Sequence, residues 1–308
     1  MAPPDHHPHR ETQNGFVVVA VLWILGALAT LATVYTLYVS ESAAALASYS
    51  ERLQAQGLAL AGVEVAVYRL TENPNAPPAR GTFAFRLGKA RVAVRFRTET
   101  ARIDLNFAGK ELLSGLFTAI GANRQNADQF ADRIIGWRTP LTADAKDTET
   151  SLYLTAGMAH GPRHGPFQHI NELGLVLGLP ANLVDRALPF LTVYSGRAEV
   201  NVLNAAPEVL AALPGMTPES LYLLLDQREL GSLDVVRARL GTAASYATLS
   251  SSNANRITVD VRFDNKHEMR SEAVVLLLKD DTEPYRLLSW SDEIGTSTKD
   301  GGGNTSLR

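Results

Sequence analysis

Residues 16 to 39, FVVVAVLWILGALATLATVYTLYV, are 24 consecutive positions without a charged side chain. At about 1.5 Å of rise per helical residue, a run of this length spans roughly the hydrocarbon core of a bilayer. The run exceeds the apolar region of a secretory signal, and no small-residue cleavage pattern follows it. The expectation is a single membrane helix, with the rest of the chain folding as one or two globular units outside the lipid.

The apolar pattern continues where the uncharged run ends. Leu46, Tyr49, Leu53, Gly57, Leu60, Val63, Val67 and Leu70 recur at intervals of three and four, with Glu41, Glu51, Arg52 and Arg69 among them. That is the period of an amphipathic helix, and no turn signal separates it from the membrane segment. One helix over residues 16–73 is therefore expected. It ends near Asn73-Pro74, where proline disfavours the helical conformation of its predecessor and the stretch NPNAPPARG follows. Such a rod needs lipid around its first half and a globular domain against its second.

The formal net charge of -3 sets up no whole-chain field for nucleic acid or an anionic surface, so partners must be recognised locally. The absence of cysteine removes disulfides, thiol catalysis and thiolate metal sites.

After the linker, FAFRLGKARVAVRFRTETARIDL alternates apolar and polar residues around a Gly-Lys break, the pattern of half-buried antiparallel strands. Residues 107–191 turn helical, and RITVDVRFD, SEAVVLLLK and YRLLSW return to strand patterns. The tail from 293 to 308, rich in Gly, Ser and Thr, is expected to remain disordered. Two stretches, RIDLNFAGKELLSGLFTAIG from Arg102 and EVNVLNAAPEVLAALPGM from Glu199, look like imperfect copies of one design: short strand, Asn, helix. Asn106 and Asn204 are expected to satisfy amides at the following helix starts, and Pro207 suits a first helical turn because its missing N–H costs nothing there.

A polar leader ending in Gly15, followed by Phe16 and a hydrophobic run, resembles the processing site of type IV pilins and type II secretion pseudopilins. The resemblance implies that a prepilin peptidase cuts after Gly15 and methylates the amino group of Phe16. Most of these proteins carry Glu at the fifth mature position; this chain has Ala20, a departure typical of the K-type minor pseudopilins. The leader contains Arg10 but also Asp5 and Glu11, so its positive-inside signal is weak. The resemblance extends over roughly residues 14 to 290, through the two flanking copies and the landmarks Pro166, Phe167, Glu172, Leu173 and Pro189. Within the copies, Asp104 and Leu203 each stand where the family pattern has Asn.

The implied fold is α+β: a pilin-like long helix on an antiparallel sheet, with an inserted all-helical domain. The expected divisions are a leader at 1–15, the helix at 16–73, the first part of the sheet at 74–104, the helical domain at 105–195, and the second part of the pilin-like domain at 196–292. That last part contains a helix-hairpin-helix-like element. The implied partners are the I-type and J-type minor pseudopilins, the major pseudopilin and the prepilin peptidase. The implied location is the bacterial inner membrane, crossed once, with the head in the periplasm. Ala20, Leu46, Tyr49, Leu53 and Leu60 are the candidate assembly residues, and a type IV pilus minor pilin is the nearest alternative.

Rival chemistries are weaker. VLAALPGMTPESLYLLLDQRE resembles a DNA-binding helix-hairpin-helix, which would make the chain a membrane-tethered DNA-uptake protein. Between Glu199 and Gly231, however, five acids face one base, Arg228, and phosphate binding depends on cations; the hairpin reads better as a packing unit. His160, His164 and His169 fit no zinc spacing. No Gly-x-Ser-x-Gly elbow or phosphate loop is present, so the sequence does not read as an enzyme. TADAKDTETSLY places Asp144, Asp147 and Glu149 together in the way calcium requires of hard oxygen ligands. The family resemblance implies calcium there as the one cofactor, although Gly136 stands where an acid often precedes the family's Trp.

Overall fold

The computed structural model describes residues 13–73, 77–142, 146–230, 233–265, 267–278 and 282–295. Most of the leader, Asp144 and the tail beyond residue 295 lie outside these. The chain divides into residues 1–57 and residues 58–308.

The first unit is the larger part of α1, a helix that runs unbroken over Gln13–Thr71. It begins ahead of Gly15 and stops two residues short of Asn73. Phe16–Ala43 has a mean hydropathy of 2.5 and no buried share among the described residues. These 28 residues form one helix long and apolar enough to cross a membrane.

The second unit opens with the C-terminal turns of α1. Ala59, Val63, Ala66, Val67 and Leu70 are buried there, and the Gly62 backbone lies against Val94 and Val259. These side chains rest on the inner face of a five-stranded sheet of β1 (Arg80–Leu87), β2 (Ala90–Thr98) and three C-terminal strands described below. In β2, Val92, Val94 and Phe96 point inward while Arg91, Arg95 and Arg97 point out, the two-residue period of a pleated strand.

The chain leaves the sheet at Thr98. β3 (Ile103–Asp104) leads to α2 (Lys110–Ala119), α3 (Arg124–Arg138), α4 (Thr148–Thr155) and α5 (Ala181–Ala187). β4 (Leu191–Thr192) then pairs in parallel with β3. A second round follows: β5 (Val200–Asn201), α6 (Pro207–Ala211), α7 (Pro218–Leu230), α8 (Leu233–Arg239) and β6 (Ala247–Thr248), which pairs in parallel with β5. The sheet resumes with β7 (Ala254–Phe263), β8 (Glu268–Leu277) and β9 (Tyr285–Gly295), giving the antiparallel order β1-β2-β7-β8-β9.

The excursion begins and ends at neighbouring points, because Thr98 and Asn255 are register partners on β2 and β7. It occupies residues 99–253, wider than the 105–195 expected. The reason is a shared core: one hydrophobic cluster runs from Ile103 and Leu112 through Phe117, Ile134, Trp137 and Leu191 to Leu210, Leu224 and Val236. The hairpin assigned above to the sheet-bearing part thus packs with the helices. β9 also runs three residues past Asp292, because its backbone keeps register with β8, where Glu268 pairs with Gly295; ladder hydrogen bonds order a segment whose composition alone does not.

The two copies seen in the sequence are structural equivalents. The Asn106 N–H donates to Asp104 Oδ1 at 2.9 Å, and the Leu203 N–H donates to Asn201 Oδ1 at 3.0 Å. Arg138 donates to the Ala108 carbonyl and Arg228 to the Ala205 carbonyl, each at 2.7 Å. Asp104 therefore corresponds to Asn201, Asn106 to Leu203 and Ala108 to Ala205. The expected capping role is corrected: α2 starts after Gly109 with no side-chain cap. Asn106 instead clamps the Phe167 backbone, donating to its carbonyl at 3.0 Å and accepting from its N–H at 2.7 Å. Asn204 donates to Asn201 Oδ1.

Candidate functional site

Along α1, Leu46, Tyr49, Leu53 and Leu60 are 70, 63, 51 and 50% exposed. They are separated by intervals of three, four and seven residues, so they share one helical face. Val63, Val67 and Leu70, which the sequence pattern joins to the same series, are buried on the sheet. The pattern therefore mixes two functions. The packing stripe of the second unit is built around small residues, Ala59 and Ala66, which a search for large apolar side chains passes over; alanine at a seven-residue interval is the signal that finds them. The four larger side chains are left bare, and apolar groups of this size in a row mark a surface that gains by being covered. Ala20 is partly exposed within the apolar segment and carries no group able to pair with an ammonium.

The acidic segment after Trp137 takes a different form from the loop expected. Asp147 caps α4, accepting from the Thr150 N–H at 2.9 Å, and Glu149 lies in the first turn, where carboxylates are favoured by the free amides and the helix dipole. The hydrogen bonds from Thr150, assisted by His164, hold the Asp147 carboxyl below its ordinary range. Glu149 Oε2 accepts from Arg133 at 2.7 Å, while its Oε1 is buried without a hydrogen-bond partner. The carboxyl lies against Gly136, where an added Cβ would stand 2.6 Å from Glu149 Cδ. Thus α4 delivers an acid to the place beside Trp137 that Gly136 leaves open. The open Oε1 suits a cation; the Arg133 contact and the capping duty of Asp147 oppose one. No group of three potential metal ligands forms among the described residues, and Asp144 lies outside them.

The three loop histidines have separate structural partners. His164, with a φ of 52°, places Nε2 3.0 Å from Thr150 Oγ1 and 3.3 Å from Asp147 Oδ1. His160 reaches the Leu175 carbonyl, and His169 Nδ1 accepts from the Asn171 N–H while Glu172 completes a capping box. In the hairpin, Ala212 and Leu213 are buried and the Ala212 carbonyl abuts Gly115 of α2, so the turn region is engaged in helix packing.

A polar seam joins the helices to the sheet. Glu99, 1% exposed, accepts from Arg256 Nε at 2.7 Å and from the Thr192 hydroxyl; Arg256 also pairs with Glu272. Burial alone would lower the Arg256 pKa, but the two carboxylates outweigh it and raise the value. Asp104 accepts from Ser195 Oγ at 3.0 Å and from the Gly196 N–H at 2.9 Å. Burial pushes its carboxyl up despite these donors.

Residues 100–196 match the family model of type II secretion system protein K. A curated relative, type II secretion system protein K of Klebsiella pneumoniae, is 27% identical over 145 residues, which are 46% of this chain and 42% of that protein; the match spans less than half of the relative's length. The fold resembles a chain in the crystal structure of the GspK-GspI-GspJ complex from the enterotoxigenic Escherichia coli type 2 secretion system, with a TM-score of 0.60 at 18% identity, covering 80% of this chain and 99% of that one. Residues 100–196 thus resemble the protein K family of type II secretion, and they are set in an α+β pilin-like fold similar to that of a chain in the solved GspK-GspI-GspJ complex.

Proposed function

We propose that the protein is a minor pseudopilin that caps the tip of a periplasmic pseudopilus and helps start its assembly for protein export. The carrying observation is the continuous helix α1, uncovered over Phe16–Ala43 and still presenting bare Leu46, Tyr49, Leu53 and Leu60 beyond it. Lipid covers the first part before assembly; neighbouring subunits cover the second. Two features favour the tip over the shaft: Ala20 offers no carboxylate for the next subunit's amino terminus, and a 155-residue excursion at 99–253 makes the head bulky for regular repetition. The similar solved structure is a complex of GspK with GspI and GspJ, and the corresponding I-type and J-type proteins are the proposed partners, with the major pseudopilin below. The role is structural, and the anchor is a single pass through the inner membrane after cleavage between Gly15 and Phe16.

The test is co-purification of full-length protein with its I-type and J-type partners from membranes. Leu53→Glu, which places a charge on the bare face at a position half exposed to solvent, should reduce recovery of both at least tenfold while leaving the melting temperature unchanged. Undiminished recovery would remove the assembly face.

Calcium belongs to the same proposal, with Asp147, the open oxygen of Glu149 and Asp144 as the carboxylates on offer. Millimolar calcium, but not magnesium, should raise the melting temperature by several degrees, and Asp147→Ala should abolish the rise. No shift with calcium would dispose of the site.

A further inference from the structure

The sheet face turned away from α1 is an arginine surface of unusual regularity. Register sets Arg80, Arg97 and Arg256 side by side across β1, β2 and β7, and sets Arg86, Arg91 and Arg262 in a second row at the other end of the same strands. Like charges placed directly opposite one another on a sheet are destabilising, so two such rows call for a source of negative charge.

The chain supplies part of it. Arg256 pairs with Glu99 and Glu272, Arg86 with Asp264, Arg262 with Glu268, and Arg95 and Arg270 share Asp260. Arg80, Arg91 and Arg97 are exposed and make no ion pair among the described residues. Each row therefore keeps cationic excess on its β1–β2 side.

Between the rows four outward positions are small, Thr82, Ala84, Ala93 and Thr258, and the other two are the mutually paired Arg95 and Asp260; the surface here sinks into two adjoining hollows of about 860 and 770 Å³. Pro189, Phe190 and Val209 of the helical part close one end. Arg91 and Arg97 stand six residues apart on β2, about 20 Å at the rise of an extended strand. A narrow, extended chain of roughly that length fits this trough.

We propose that the trough is a docking site for an acidic, extended polypeptide segment of a partner protein, whose carboxylates pair with Arg80, Arg91 and Arg97. Every counter-ion already on this face is a carboxylate, and the guanidinium fork matches carboxylate geometry in two parallel hydrogen bonds. The outward positions between the rows offer no aromatic ring on which nucleic-acid bases would stack, which favours a polypeptide over a single-stranded nucleic acid. This surface is separate from the bare face of α1, and its occupancy does not depend on the pseudopilus reading.

The experiment uses full-length protein in detergent micelles and fluorescence anisotropy of labelled deca-glutamate, with labelled deca-glutamine as the neutral control. Deca-glutamate should bind, should weaken steeply as salt rises, and should lose at least tenfold in affinity in the Arg80→Ala/Arg91→Ala/Arg97→Ala variant, whose melting temperature should equal that of the parent. Arg237→Ala, on α8, should leave the affinity unchanged. Arg91→Lys/Arg97→Lys, which keeps the charge but not the fork, should give an intermediate loss and guards against a folding defect in the triple variant. Equal affinity in the parent and both arginine variants, absence of deca-glutamate binding, or tighter binding of inorganic polyphosphate than of deca-glutamate would each overturn the proposal.

Discussion

Glu99 is the residue on which the two parts of the head meet. It sits at the first position of the excursion from the sheet and is held by Arg256 from β7 and by Thr192 from β4. Leaving a buried polar partner unsatisfied costs about 1–3 kcal/mol, more for a charged group, and without Glu99 the buried Arg256 keeps only Glu272. Glu99→Gln should lower the stability of the globular head by an amount of that order in urea unfolding, whereas the exposed pair of Arg86 and Asp264 should contribute no more than about 1 kcal/mol. A loss below that of the surface pair would mean the seam does not hold the parts together. Asp104 shows a related constraint. Three donors converge on its carboxylate, from Asn106, Ser195 and Gly196, and an ionised carboxyl accepts on all sides while an amide presents donors on one. An aspartate at this turn is thereby explained.

Helix α2 crosses α6 with no room to spare. A Cβ on Gly115 would stand 2.0 Å from the Ala212 carbonyl oxygen, which is backbone and cannot swing aside. Gly115 and Ala212 are themselves equivalent positions in the two copies, offset by the same interval as Asp104 and Asn201, so the copies pack on each other about a local near-symmetry. Gly115→Ala should part the helices and cost about 1–3 kcal/mol, the usual range for overpacking, read as a lower melting temperature of the intact protein. Gly174→Ala, where nothing lies within 4 Å of the added atom, should melt within a degree or two of the parent on the size scaling of unfolding.

For the molecule as a whole, the register of Thr98 with Asn255 matters most. The excursion departs and returns on neighbouring strands, so the sheet and α1 can be completed without it. Replacing residues 99–254 by an Asn-Gly turn, which joins the register partners Thr98 and Asn255 and matches the twist of an antiparallel pair, should leave a shorter chain that retains strand signal by circular dichroism in detergent and unfolds cooperatively. Its loss of Glu99 should make it less stable than the parent head. A chain with no cooperative transition would show that the helical part is required for the sheet to form.

The long apolar helix, the strands and the duplicated strand–turn–helix were legible in the sequence, because each depends on local period or a local turn signal: the uncharged run at 16–39, the alternation in ARVAVRFRT, and the Asp104 and Asn201 turns. What was not legible rests on pairing across the chain. Whether Leu60 or Val63 faces the sheet depends on which side of α1 meets Val94 and Val259, and a series at spacings of three and four does not distinguish two neighbouring faces of one helix. The placement of the hairpin with the helices rather than the sheet came from a shared core, and Asn106 became a clamp on Phe167 through a contact 61 residues away. The arginine rows arose only when strands far apart in the chain came into register. Local periodicity decides the elements; long-range packing selects their partners, because a side chain's burial depends on what another part of the chain brings to it.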